Sequence, residues 1–149
     1  MGEPTVLFPQ SDFRVNPKAP PDIRAAIEEG IRCYRARAFA AAAIMCRKTL
    51  EGVCEAHGVR ERSLAGSLKK MLETDKIDRR LYDWSDQLRL TGNAAAHGVG
   101  VISSGQDARD ALDFTIAIID YIFSYRDQFE KFKERRGIKE NVQGATART

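Results

Sequence analysis

The residues best placed to do chemistry lie in one run, Arg89-Leu-Thr-Gly-Asn-Ala-Ala-Ala-His97. Arg89, Asn93 and His97 recur every four residues, and each such step drifts by about 40° on an α-helix, so the three climb one face. Histidine is the side chain that exchanges protons near neutral pH. Such a group can act as a general base or acid where a second polar side chain is within reach. The same geometry sets a limit: Arg89 and His97 stand about 12 Å apart along an unbroken helix. They cannot both grip one reacting atom, whereas Asn93 and His97 are neighbours. Gly92 and Ala94 to Ala96 surround that pair and let a ligand or another backbone come close. The competing reading is structural, an Asn–His pair that ties two helices together by satisfying polar groups.

Further candidates lie in an earlier segment. Arg47 and Glu51 are four residues apart and can pair along a helix, or Glu51 can accept from Arg89 or His97 across the bundle. From Arg32 to Lys48 there is no acidic residue. Arg32, Arg35, Arg37, Arg47 and Lys48 are therefore a candidate basic face for RNA phosphate, set against the default of a solvated surface. His57 precedes Gly58 at an expected helix end, where an imidazolium suits the helix dipole. Cys33, Cys46 and Cys54 form no C-x-x-C pair and sit among apolar residues. They read as buried free thiols in a reducing cytoplasm, not as metal ligands or a disulfide framework. No metal site and no cofactor motif is found, and no glycine-rich phosphate loop.

The elements that must position these residues are helical. All five prolines fall within residues 1–21, which read as an extended arm with Val6-Leu-Phe8 as its apolar cluster. Pro21-Asp22 opens a first helix, with proline at the entrance and an acid in the first turn. Ile23, Ile27, Ile31 and Tyr34 follow at helical spacing, with a break near residues 35–38. A second helix is expected over about 39–56, rich in alanine at its start and stopped by Gly58. Ser63 caps a third helix. Asp75 to Asp78 makes a turn, and Leu81, Trp84 and Leu88 mark the core face of a fourth. Glycines and serines from Gly98 to Gly105 form a loop. The last helix, about 106–135, is apolar nearly all round, which predicts burial on more than one side. One side meets the bundle, and the other is expected to meet a second copy. The domain is therefore expected over 22–135, with a flexible basic tail over 136–149.

The run Leu88-Arg-Leu-Thr-Gly-Asn-Ala-Ala-Ala-His97, together with Cys46-Arg-Lys-Thr-Leu-Glu51, resembles the domain-of-unknown-function family numbered 4145. Phe8-Pro9, Pro21-Asp22-Ile23 and the aromatic last helix fit the same pattern, from about Val6 to Tyr125. That family is similar to the HEPN group of helical bundles, many of them dimers and some of them metal-independent ribonucleases in RNA processing and defence. The resemblance implies an all-α, HEPN-like bundle of four to five helices behind the proline-rich arm. It also implies an active motif of arginine, a polar residue and a later histidine. Asn93 matches the polar position and His97 the histidine, but the arginine position falls on Gly92. Arg89 is three residues early, and Arg89 or Arg47 would have to supply the cation through space.

Charge and hydropathy narrow the classes. The net charge is +3, and from Lys131 onward six basic residues face two acidic ones, leaving a near-neutral body. No secretory leader is read at the start, and the apolar stretch at Ala111 to Tyr125 is interrupted by Asp113 and Asp120. A cytoplasmic protein without a membrane partner is expected. The leading functional expectation is a non-catalytic, HEPN-like interaction domain, homodimeric through its last helix and working beside nucleic-acid or phage-defence machinery. The alternatives are a metal-independent ribonuclease using His97 and Asn93, and an RNA-binding module using the basic face.

Overall fold

The computed structural model describes residues 13–97 and 104–137, and these are all helical apart from short connections. The helices are α1 (Pro21–Arg35), α2 (Phe39–Ala56), α3 (Leu64–Glu73), α4 (Arg79–His97), α5 (Gly105–Asp120) and α6 (Arg126–Arg135). A π-helical turn, Tyr121–Tyr125, joins α5 to α6, so the last helix is continuous but widened in its middle. Val6-Leu-Phe8, most of the 98–105 loop and nearly all of the basic tail lie outside the described residues.

The boundaries follow local chemistry. Proline opens α1, where its missing N–H is no loss, and Asp22 sits in the first turn. Ser63 Oγ accepts from the Gly66 amide, and Ser104 Oγ from the Asp107 amide, capping α3 and α5. Gly58 takes a φ of 74° just past the end of α2, a left-handed position that suits glycine.

The core gathers Ile23, Ile27, Leu50, Met71, Leu112, Ile118 and Ile119, all essentially fully buried. Helices α1 and α2 form an antiparallel hairpin, and Ile23 Cγ1 would lie 3.1 Å from a Cβ placed on Gly52. Helix α5 runs parallel to α2. A Cβ on Gly105 would stand 3.0 Å from the Phe39 ring at one end, and His57 meets Phe123 at 5.7 Å at the other. Helix α4 runs antiparallel to α5, with Trp84 stacked on Phe114 and Ala94 beside Asp107.

One expectation about the core needs correction. Trp84, placed in the core by its spacing with Leu81 and Leu88, is 40% exposed. The buried face of α4 is Leu81, Ser85, Leu88 and Gly92, and small Ser85 and Gly92 occupy the positions of closest approach. On the last helix one side faces the bundle, and Phe114, Tyr121, Tyr125, Phe129 and Phe132 are exposed in the single chain. Cys46 and Cys54 are buried free thiols, and Cys33 is half-buried. Burial raises the Cys46 thiol to about 11. Burial, with Glu51 and Glu55 nearby, raises Cys54 to about 12.

The described part of the arm is fastened to the bundle. Asn16 Nδ2 donates to Asp120 Oδ1 (3.0 Å) and to Ser124 Oγ (2.7 Å), bridging the end of α5 and the π turn. Phe13 packs edge-on against Tyr34 and under the Arg109 guanidinium at 4.1 Å. Asn16 and Phe13 thus anchor the described part of the arm to the bundle.

Candidate functional site: the seam between the second and fourth helices

Both sequence motifs sit on the seam between α2 and α4. The contact begins with the absence of a side chain. A Cβ at Gly92 would stand 2.7 Å from Arg47 Cβ and 3.1 Å from the Ala43 carbonyl oxygen. Ala42 and Ala43 are buried on the facing helix. The alanine-rich start of α2 and the glycine of the second motif are thus two halves of one close approach, and the Arg47 stem lies across Gly92.

Arg47 is turned along its own helix. Its Nη1 donates to Glu51 Oε2 at 2.7 Å, with the two side chains about one-third and two-fifths exposed. Arg47 Nε is buried and has no hydrogen-bond partner among the described residues. Glu51 accepts from Arg47, not from Arg89. The latter donates through Nε to Asp86 at 2.9 Å, in a pair that is mostly shielded from solvent. Asn93 is half-buried and His97 exposed. Among the described residues neither of these side chains is hydrogen-bonded.

Helix direction separates the groups further. Because α5 is parallel to α2 and antiparallel to α4, the C-terminal end of α4 points toward the start of α2. His97 lies five residues past Gly92, about 7.5 Å further in that direction. The Arg47–Glu51 pair extends the other way, toward the end of α2. The seam therefore brings Arg47, Glu51 and Gly92 together. Neither Arg47 nor Arg89 is joined to His97 by an ion pair or hydrogen bond.

Four residues of the basic run, Arg32, Arg35, Arg37 and Lys48, are exposed. Arg32 pairs with Glu29 on α1, Arg35 lies over Phe13 at 6.0 Å, and Arg37 lies over Phe39 at 5.5 Å with a φ of 64°. Lys48 is exposed on α2, while Arg47 is committed to the seam with α4. No group of three or more His, Cys, Asp or Glu residues that could hold a metal ion occurs among the described residues. No described helix is long and apolar enough to cross a membrane.

A second feature escaped the sequence reading. Between α4 and α5 runs a groove of about 700 Å³, lined by Trp84, Leu88, Leu90, Ala94, Ala111 and Phe114, with Asp107 and Asp110 at its edge. Leu90 is 45% and Phe114 47% exposed. The signal was present in the sequence, because Trp84 and Leu90 lie off the Leu81–Ser85–Leu88–Gly92 stripe. Their hydrophobicity hid it.

No curated protein and no solved structure matches the chain. The profile of the domain of unknown function (DUF4145) matches residues 28–135, which takes in the α2–α4 seam, the groove and the whole of the last helix, and the chain belongs to that family.

Proposed function

We propose that this chain is a non-catalytic, HEPN-like interaction domain that self-associates through its last helix and serves nucleic-acid or defence machinery. The observation that carries the reading is α6. It has no buried residue, and among the helical elements it packs only on the π turn that leads into it. Its ten residues extend about 15 Å, and Phe129 and Phe132 stand exposed on it at 56% and 41%. A helix this short draws its stability from packing more than from propensity. Together with Phe114, Tyr121 and Tyr125 it forms an apolar stripe that asks for a partner.

The seam supports the non-catalytic side of the reading. The family motif's arginine position is Gly92, and the space beside it is filled by the stem of Arg47. Both nearby guanidiniums are paired with carboxylates of their own helices. Among the described residues no hydrogen bond or ion pair orients the His97 ring or brings a cation to it.

Sedimentation equilibrium from 1 to 100 µM tests the association, and a dimer is the expected result. A strict monomer across that range overturns it. Incubation with mixed RNA in EDTA tests the rival: no cleavage is expected. Cleavage that disappears in His97→Ala would replace this reading with a metal-independent ribonuclease.

A further inference from the structure

The last helix carries a pattern that fits its own reverse. Phe114, Tyr121, Tyr125, Phe129 and Phe132 follow at intervals of seven, four, four and three residues, and this spacing, with the offset of roughly a quarter turn that the π turn adds, keeps them on one half of the helix circumference. Measured from Phe123, Phe114 and Phe132 are equally distant, as are Tyr121 and Tyr125. Phe129 is matched by exposed Ala117, a small residue opposite a large one. We infer that two copies pair antiparallel along α5, the π turn and α6, about a twofold axis at the level of Phe123. This inference rests on the self-association proposed above and specifies its geometry.

The charges follow the same reversal. Asp110 and Asp113 on α5 lie as far before Phe123 as Arg136 and Lys133 lie after it. From Asp107 to Asp120 the helix has four acids and one base. From Arg126 to Arg136 it has five bases and three acids. An antiparallel pair lays the acidic half of one copy on the basic half of the other, at both ends at once, as a twofold interface requires. A parallel pair would set like against like.

The groove supplies the seat. In this register the partner's Phe132 arrives at the level of Phe114, where the Trp84 ring stacks on Phe114 at 6.0 Å and Leu90 is exposed. With about 200 Å² per aromatic side chain, the exposures of the five aromatics leave roughly 500 Å² of ring surface per copy. Two copies therefore bury on the order of 1,000 Å² from the rings alone, the threshold for a specific interface.

Pulsed electron paramagnetic resonance on spin-labelled dimers reads the register directly. With Cys33→Ser as background, labels are placed singly at exposed Lys131→Cys and Gln106→Cys. Eight and seventeen residues from the axis predict separations of about 25 Å and about 50 Å between the two labels of a dimer. Those two distances support the pairing. Equal, short distances at both sites would mean a parallel pair and overturn it. A dimer whose distances match neither pattern overturns the register while leaving self-association intact. A monomer removes both.

Discussion

Replacing Gly92 by alanine separates two physical expectations that differ in sign. In a helix interior, glycine to alanine stabilises by about 1 kcal/mol through lower backbone entropy in the unfolded chain. At Gly92 the new methyl would lie 2.7 Å from Arg47 Cβ and 3.1 Å from the Ala43 carbonyl oxygen. Neither atom is the free end of a flexible side chain, so α2 and α4 must separate. Overpacking of this kind costs about 1–3 kcal/mol. The net expectation is a loss of about 1 kcal/mol, which for a chain of this size lowers Tm by about 2–4 °C. Thermal and urea unfolding followed by circular dichroism at 222 nm would measure it. Gly92→Arg, which installs the arginine that the HEPN resemblance implies, should be far worse, because the Arg47 stem lies against this position. A Gly92→Ala protein that melts a few degrees higher than the parent would refute the close approach. It would also refute the view that Arg47 displaces a catalytic arginine from this position.

Phe129→Asp should convert the dimer to monomer in sedimentation without loss of helical signal, since the ring is already 56% exposed in a single copy. Asn16→Ala removes two hydrogen bonds to the last helix and should cost about 1–2 kcal/mol, read as a lower urea midpoint at unchanged slope. For the cysteines, the folded thiols of Cys46 and Cys54 ionise at about 11 and about 12, above their ordinary value. Their contribution is complete below the unfolded value and falls as pH rises through that window, because the unfolded chain loses its protons first. Stability should therefore drop more steeply above about pH 9 in the parent than in a Cys46→Ala, Cys54→Ala variant. In the native protein at pH 8 only Cys33 should react promptly with a thiol reagent.

Much of the fold was legible because local signals and hydrophobic period agreed. Proline and acid at Pro21-Asp22, the Ser63 cap and the left-handed glycine at Gly58 bound their helices where expected, and α2 spans Phe39–Ala56 as read. The fourth helix was misread because hydrophobicity alone chooses Trp84 as core. Burial there goes to Ser85 and Gly92, whose merit is small size, and a pattern of apolar residues does not register it. At the seam, the i, i+4 pairing of Arg47 with Glu51 followed from spacing. That the Arg47 stem lies on Gly92 depends on the crossing of two helices 45 residues apart in sequence, which no local rule supplies. Of the basic run, Arg32, Arg35, Arg37 and Lys48 are exposed, while Arg47 is drawn into the contact with α4, which its spacing did not reveal. Asn16 had no periodicity to reveal it, and its role comes from partners more than 100 residues away.

The π turn at Tyr121–Tyr125 is also a setting of phase. Each residue in a π turn advances the helix by less than in an α turn. Relaxing these five residues to α geometry, with none removed, would twist everything downstream by roughly a quarter of a revolution. Phe129 and Phe132 would change their angle to Phe114 without any break in the rod that bears them. Asn16 grips the rod at the entrance to this wide turn and within it, at Asp120 and at Ser124. The segment that enters the domain is thus fastened to the stretch of the last helix that sets the angle between its two halves.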